Sequence, residues 1–371
     1  MIRRLNMTPT QFIKLSEERL RALQAKVNVQ KARAEALGVR EKFVQKLSLN
    51  TIDSSHEKRS FPDIDKTVNY FKNMYQSVEN NENIDTPEFD NWIKNMLDYR
   101  KNINLSNQNQ EIQEKLSQAL KNSVPWKSPG PDGIPAAAYK ILPSAKKFLN
   151  DFATKSLQGR NLIQEEDVRA RMILIHKAGE ISNPENYRPI AVLNTDYKLL
   201  TAAIADFIHQ GLVDSMILKE QLARKNIWGT VHGLLWDKAC TQAPKLSRTT
   251  NFSTWYDFSK AYDTVSHVQL QKLVAALPVH REIQNTIKAM IKKWAVVIEL
   301  GKQKSSPIYV KRGVYQGDSM SPLLFVLISA FIIKSALEDK QVTRLSRGKQ
   351  EVIAFMDDIK AHTPNKKQLK N

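Results

Sequence analysis

The sequence predicts a layered core of α/β or α+β type, because short strand-like runs alternate with longer helical stretches. Two strand candidates rich in aliphatic residues are 172–176 and 190–193. The longest apolar run, 322–333, is too short to cross a bilayer, which requires about 20 apolar residues. We therefore expect this run to form a buried helix. A chain of 371 residues has room for two or three domains.

The first 119 residues differ in composition from the rest of the chain. Residues 1–50 carry eleven Lys and Arg against four Asp and Glu and contain few helix breakers, which predicts a basic helical extension. Such a helix either follows a nucleic-acid backbone or is simply solvated. Residues 51–119 are polar with aromatic islands and predict short helices and loops. Within this region we expect a surface connection at 102–113, and an amphipathic helix follows at 111–122.

The remaining elements follow a dense turn cluster at 129–133, where Pro and Gly alternate. Their apolar spacing predicts either helices or short strands. Helices are expected at 197–212, 267–276 and 281–294. A strand pair is expected at 296–300 and 308–312.

The overall charge indicates a polyanionic partner. The formal net charge is +18, an excess that most often accompanies nucleic-acid binding, although a basic protein without such a partner has the same composition. Cys240 is the single cysteine, which excludes an internal disulfide framework and a cysteine-based zinc site. The N-terminus does not resemble a secretion signal. We expect a protein that is not secreted and does not act at a membrane.

Three aspartates are the candidate catalytic residues. Asp357 and Asp358 lie between two apolar runs, which predicts two short strands joined by a tight turn. Asp257 lies 100 residues upstream in another aromatic, strand-like run. Carboxylates in apolar surroundings are costly unless they are compensated, and Mg²⁺ prefers such hard oxygen ligands. Two ions can clamp the attacking and leaving oxygens of a phosphoryl transfer, whereas an isolated Asp-Asp pair is more often a solvated turn.

Two further segments contain candidate pocket residues. In the loop 313–322, Gly317 allows a ligand to approach the backbone closely, and Gln316 offers both a donor and an acceptor. Tyr262 follows Asp257 by five residues, so its ring can face the same pocket and exclude a ribose 2′-hydroxyl. Taken alone, these features are also consistent with a helix cap and a core aromatic.

Two cations complete the candidate site. Lys177 and Arg188 lie on either side of a loop rich in Gly, Asn and Pro, so they are expected on the two strands of one hairpin. Cations in that arrangement can converge on a triphosphate, Arg through its planar fork and Lys as a point charge. Two solvated loop charges are the alternative.

Six segments in a fixed order resemble the reverse transcriptases of non-LTR, LINE-type retrotransposons. They are Pro-Gly-Pro-Asp-Gly (129–133), Ile-Leu-Ile-His-Lys (173–177), Asn-Tyr-Arg-Pro-Ile (186–190), Asp-Phe-Ser-Lys-Ala-Tyr-Asp (257–263), Gly-Val-Tyr-Gln-Gly-Asp-Ser-Met-Ser-Pro-Leu-Leu-Phe (313–325) and Phe-Met-Asp-Asp (355–358). Each segment alone is weak, but six in register are specific. The stretch 220–238 is similar to the lineage that carries a restriction-like endonuclease.

The resemblance implies an α+β right-hand polymerase with a ferredoxin-like palm sheet. Its reverse transcriptase domain is expected at 120–371, with fingers at about 120–250 and an incomplete palm at about 251–371. The family continues beyond its acidic pair into a thumb and, in this lineage, an endonuclease. Since this sequence ends 13 residues after Asp358, we expect the thumb to be missing and the chain to have little or no activity alone.

The resemblance also implies a role for each candidate residue. It implies two Mg²⁺ ions, for which Mn²⁺ can substitute, bound by Asp257, Asp357, Asp358 and the Phe258 carbonyl. It further implies that Lys177 and Arg188 hold the triphosphate, that Gln316 and Gly317 line the nucleotide pocket, and that Tyr262 is the ribose gate. The expected partners are an RNA template, a DNA primer and dNTPs.

Three functions remain in competition. The leading hypothesis is an RNA-directed DNA polymerase inside the cell, in the nucleus or the cytoplasm, whose oligomeric state the sequence leaves open. The second is a non-catalytic nucleic-acid-binding remnant of a retroelement. An RNA-dependent RNA polymerase is disfavoured by Tyr262 and by the Phe-Met dipeptide before the acids, where viral enzymes commonly have Gly.

Overall fold

The computed structural model has a mixed α+β fold. It describes residues 62–76, 86–160, 163–212, 221–223, 228–246, 250–338 and 351–363. The predicted helical extension at 1–50 lies outside these residues. The helices are α1 Ile64–Gln76, α2 Pro87–Lys101, α3 Gln108–Asn122, α4 Ala136–Ile141, α5 Pro143–Leu157, α6 Glu165–Val168, α7 Thr195–Leu212, α8 Gly229–Leu246, α9 His267–Ala276, α10 Arg281–Lys292 and α11 Ser321–Glu338. The strands are β1 Arg169–His176, β2 Tyr187–Val192, β3 Phe252–Tyr256, β4 Ala295–Leu300, β5 Gln303–Lys304, β6 Ile308–Tyr309, β7 Glu351–Phe355 and β8 Asp358–Thr363.

The larger sheet is built on the β1–β2 hairpin. Its strand order is β2-β1-β4-β5, and β6 pairs with β4. The pairing of β1 with β4 is parallel, while β2, β5 and β6 pair with their neighbours in the antiparallel sense. This sheet therefore joins strands from both sides of residue 250, where we expect the fingers to meet the palm. That division remains a prediction.

The smaller sheet carries the acidic pair. Its order is β3-β8-β7, and both pairings are antiparallel. Only Met356 and Asp357 separate β7 from β8, so these strands form the tight hairpin that the sequence predicts. The second strand forms although it contains Lys360 and His362, because the Asp237 carboxylate accepts hydrogen bonds from both, at 2.6 and 2.8 Å.

The core lies between the helices and the larger sheet. The predicted apolar helix is confirmed as part of α11, whose side chains such as Leu324 and Leu327 are fully buried. Trp294 is also fully buried, and its indole nitrogen donates to the Tyr197 hydroxyl at 3.0 Å. This hydrogen bond satisfies the polar atom that a buried tryptophan brings into the core.

The helix prediction at 267–276 is confirmed without a shift, and those at 197–212 and 281–294 are confirmed within two residues. The predicted surface connection at 102–113 is wrong in its second half, because α3 begins at Gln108. Among the described residues, no helix is both long and apolar enough to cross a membrane.

Candidate active site

The three aspartates lie at one end of the smaller sheet. In the antiparallel register Tyr256, the last residue of β3, pairs with Ile359, so Asp257 follows this pair on one strand and Asp358 precedes it on the other, at the same end of the sheet. On the other side of β8, Asp358 pairs with Phe355, and Asp357 occupies the turn between them. Residues opposite each other in such ladders have Cα atoms about 4.5–5.5 Å apart. Strand pairing thus brings Asp257 and Asp357 to the same end of the sheet, although 100 residues separate them in sequence.

The acids are open to solvent. Asp257 and Asp358 are exposed, and Asp357 is half-buried. In the described part of the chain, no three acidic, His or Cys side chains form a ready-made metal cage. Carboxylates and a main-chain carbonyl are nevertheless the hard oxygen donors that Mg²⁺ accepts, and this ion is usually bound by one or two carboxylates together with substrate phosphates. The donor set therefore fits the ion without a complete protein cage.

Tyr262 packs beside the acidic turn. It lies in a short 3₁₀ turn that follows Lys260, whose φ is +54°. The Tyr262 ring stacks on Phe325 of α11 with centroids 4.8 Å apart, and its hydroxyl lies 3.9 Å from Met356 Sδ. Burial raises the pKa of Tyr262 to about 12, and the negative charge of Asp357 adds to that shift. The ring thus lies between α11 and the turn that holds Asp357.

The Gln316–Gly317 loop is bound to β2. The Ala191 N–H donates to the Gln316 carbonyl at 2.7 Å. Gly317 has φ +127°, and a Cβ on it would lie 2.4 Å from the Ala191 carbonyl oxygen. A side chain is excluded at this position by both the backbone conformation and the space. Gly317 therefore allows a backbone-to-backbone contact in addition to any contact with a ligand.

Asp263 fixes the Gln316 side chain. Gln316 Nε2 donates to both carboxylate oxygens of Asp263, at 3.3 and 3.2 Å. Asp263 is buried, and the Tyr75 hydroxyl of α1 also donates to it at 3.5 Å. Desolvation raises the Asp263 pKa to about 6, although the hydrogen bond from Gln316 and the positive charges of Lys177 and Lys260 favour the ionised form. The sequence alone does not single out this carboxylate, because its partner Gln316 lies 53 residues away.

Lys177 and Arg188 lie on the β1–β2 hairpin, as the sequence predicts. Arg188 is opposite Ile175, and the Lys177 N–H donates to the Asn186 carbonyl at 2.8 Å. Both side chains are exposed, and neither forms an ion pair with any residue that the structure describes. The positive charge of Lys177 lowers the pKa of Asp263 in opposition to burial. No contact in the described residues joins Arg188 to the acids.

Comparison with known proteins gives one family and several relatives. Residues 175–371 match the family described as "Reverse transcriptase (RNA-dependent DNA polymerase)". A "Retrovirus-related Pol polyprotein from type-1 retrotransposable element R2" of Popillia japonica is 28% identical over 66% of this chain and 34% of its own length.

Two other relatives come from other transposons. The "Probable RNA-directed DNA polymerase from transposon BS" of Drosophila melanogaster is 26% identical over 58% of this chain and 24% of its own length. The "Transposon TX1 uncharacterized 149 kDa protein" of Xenopus laevis is 26% identical over 58% of this chain and 16% of its own length. The chain thus spans about a third or less of the curated relatives that it matches. The family match covers more than half of the chain, and the chain therefore belongs to the reverse transcriptase (RNA-dependent DNA polymerase) family.

Proposed function

We propose that the chain carries the nucleotidyl-transfer site of a retrotransposon RNA-directed DNA polymerase. One observation supports this proposal above the others. Three aspartates from two distant segments lie at one end of a three-stranded sheet, beside a tyrosine packed against the turn that holds one of them. The reaction joins a primer 3′-hydroxyl oxygen to the α-phosphorus of a dNTP and releases pyrophosphate. Family membership makes an RNA template and a DNA primer the substrates to test first.

The proposed metal ligands are Asp257, Asp357, Asp358 and the Phe258 carbonyl. Two Mg²⁺ ions, or Mn²⁺ in their place, would supply Lewis acidity to the phosphoryl oxygens. The three carboxylates concentrate negative charge at the end of the smaller sheet, next to the ends of β3, β7 and β8. Solvent exposure leaves room for the substrate phosphates to complete the coordination.

The other candidate residues orient the nucleotide. Lys177 and Arg188 are exposed cations without acidic partners among the described residues, so they remain available for a triphosphate. Gln316 uses its amide nitrogen on Asp263, which leaves its amide oxygen to accept a hydrogen bond from the nucleotide. The Tyr262 ring, stacked on Phe325, would exclude a 2′-hydroxyl.

The domain assignment belongs to the same proposal. We take residues 120–371 as the reverse transcriptase domain, with fingers at about 120–250 and palm at about 251–371. The net charge of +18 favours binding to the nucleic-acid backbone, which a single-stranded template and a duplex both offer. Such substrates and the single cysteine are consistent with a place inside the cell.

Primer extension on an RNA template tests the proposal. Purified chain is supplied with Mg²⁺ and either dNTPs or rNTPs, and the Asp357→Asn variant is compared with Asp151→Asn, which removes an exposed acid on α5. We expect at most weak extension with dNTPs, which Asp357→Asn abolishes and Asp151→Asn retains. Nucleic-acid binding without extension, equal in wild type and Asp357→Asn, would instead favour the non-catalytic remnant.

A further inference from the structure

Gln221 is a buried side chain that no role in the proposed reaction accounts for. It is 0% exposed and lies beside β7, where it forms a parallel bridge with Ala354. The following residue, Leu222, donates its N–H to the Ala354 carbonyl at 2.8 Å. The short segment 221–223 therefore runs along the outer side of the hairpin that carries the acidic pair.

The Gln221 amide binds both polar backbone atoms of Met356. Its Oε1 accepts from the Met356 N–H at 2.8 Å, and its Nε2 donates to the Met356 carbonyl at 3.1 Å. Its remaining capacity is also used, since Oε1 accepts from the Ala223 N–H at 3.2 Å and Nε2 donates to Ser329 Oγ at 2.9 Å. A glutamine amide offers two donors and two acceptor sites, and all four are satisfied here.

Met356 needs external support because its backbone is in the left-handed region. Its φ is +56°, a conformation that residues other than Gly adopt at a cost in free energy. The two bonds from Gln221 hold the peptide before Met356 and the peptide after it. The peptide after Met356 contains the N–H of Asp357. Gln221 thus fixes the backbone from which the Asp357 carboxylate projects.

We propose that Gln221 is a positioning residue that holds the Met356–Asp357 turn in the conformation in which Asp357 binds the catalytic metal. The inference rests on the proposed function, because it gives Gln221 a task only if Asp357 is a metal ligand. Gln221 touches neither substrate nor metal and acts through the Met356 backbone. Partners that orient metal ligands in this indirect way typically contribute about 10–100-fold to metal affinity.

The test measures Mn²⁺ affinity by calorimetric titration of the full 371-residue chain. Gln221→Met removes all four hydrogen bonds but keeps the length and apolar stem of the side chain. The matched control is Gln284→Met, since Gln284 is also buried and donates to the Ala275 and Leu277 carbonyls, far along the chain from the acids. We expect Gln221→Met to weaken Mn²⁺ binding at least about tenfold, while Gln284→Met lowers thermal stability with Mn²⁺ affinity changed less than about twofold.

A double variant separates positioning from packing. The double variant combines Gln221→Met with Met356→Gly. Because glycine accepts a positive φ without strain, the added Met356→Gly should restore part of the Mn²⁺ affinity that Gln221→Met loses. A side chain that only filled space would not be rescued in this way. If Gln221→Met does not fold, Gln221→Asn, which keeps a neutral amide but is one methylene shorter and so cannot make both bonds to Met356, is measured instead and should bind Mn²⁺ more weakly than wild type.

Two negative results have different meanings. If wild type binds Mn²⁺ and Asp357→Asn abolishes that binding, unchanged affinity in the folded Gln221 variants overturns the positioning role alone. If wild type shows no binding that depends on Asp357, the proposed function fails and the positioning role fails with it. In primer extension, a positioning role lowers kcat and leaves the KM for dNTP near its wild-type value.

Discussion

Asp263 links the Gln316 side chain to the rest of the fold through a carboxylate that is costly to bury. Its pKa rises from 3.8 to about 6 because the ionised form loses its hydration, although Gln316 and Lys177 offset part of that loss. The folded state therefore binds more protons than the unfolded state between these two values. Stability falls as pH rises through that window, and the loss persists above it.

The Asp263→Asn variant, which cannot ionise, should escape this loss. We expect its free energy of unfolding to increase relative to wild type as pH rises from about 4 to about 7, by at most about 3 kcal/mol. Urea denaturation of both proteins at each pH measures the difference. Asp151→Asn serves as the control for removal of an exposed acid. A constant or falling difference for Asp263→Asn contradicts the burial argument.

Tyr262 should decide between deoxyribose and ribose. Because its ring is held by Phe325 on one side and the Met356 turn on the other, it cannot easily swing away from a 2′-hydroxyl. Replacement by Val should raise the efficiency of rNTP use relative to dNTP use at least about tenfold, a change of about 1.4 kcal/mol in transition-state discrimination. Single-nucleotide incorporation measures the ratio, with the exposed Tyr309→Val as the control. An unchanged ratio removes the gate role from Tyr262.

At this scale the sequence identifies residues whose chemistry is local and misses those whose partners are distant. Asp257, Tyr262 and Gln316 stand in short segments that are weak one by one but specific in their order along the chain. Gln221 is a single amide in a polar stretch, and its partner Met356 is 135 residues away. Only the folded chain shows that the buried Gln221 side chain binds the backbone of Met356, whose φ lies in the left-handed region.

Among the elements, the loop around Gly317 contacts both β2 and the segment that contains Asp263. The loop leads into α11 and forms a hydrogen bond with β2. Its close approach to Ala191 requires a residue without a Cβ. Gly317→Ala should cost more than about 2 kcal/mol, because left-handed strain adds to a backbone clash. Gly301→Ala is the matched control, since Gly301 has φ +60° but no atom within 4 Å of the added Cβ. Equal costs in denaturant titration would show that the contact with Ala191 does not matter.

The helices and strands also show which elements the apolar periodicity of the sequence can predict. Apolar spacing is sufficient for α9, which is specified by neighbouring residues. The acidic hairpin also depends on the distant Asp237, which binds the polar side chains of β8. The start of α3 was not predictable, since Gln108 is buried and accepts from the His280 N–H at 2.9 Å, a tertiary contact that draws an amide-rich stretch into a helix. The parallel pairing of β1 with β4 was equally inaccessible, because it joins segments more than 100 residues apart.

At the scale of the whole molecule, the net charge of +18 predicts how the chain meets nucleic acid. Binding through phosphates releases counterions, so the logarithm of the association constant should fall linearly with the logarithm of the salt concentration, by about 0.7–0.9 per phosphate contacted. Fluorescence anisotropy with RNA and DNA oligomers between low and moderate salt measures this slope. Binding that is insensitive to salt excludes an interface dominated by phosphate contacts.

The proposed catalytic site requires that strand pairing bring Asp257 and Asp357 to the same ion. Anomalous diffraction from crystals of the chain grown with Mn²⁺ and a dNTP answers this question. We expect a manganese peak about 2.2 Å from carboxylate oxygens of both residues, with the triphosphate beside Gln316. Absence of manganese from the end of the smaller sheet, or carboxylates of Asp257 and Asp357 more than about 8 Å apart, would contradict the proposed catalytic site.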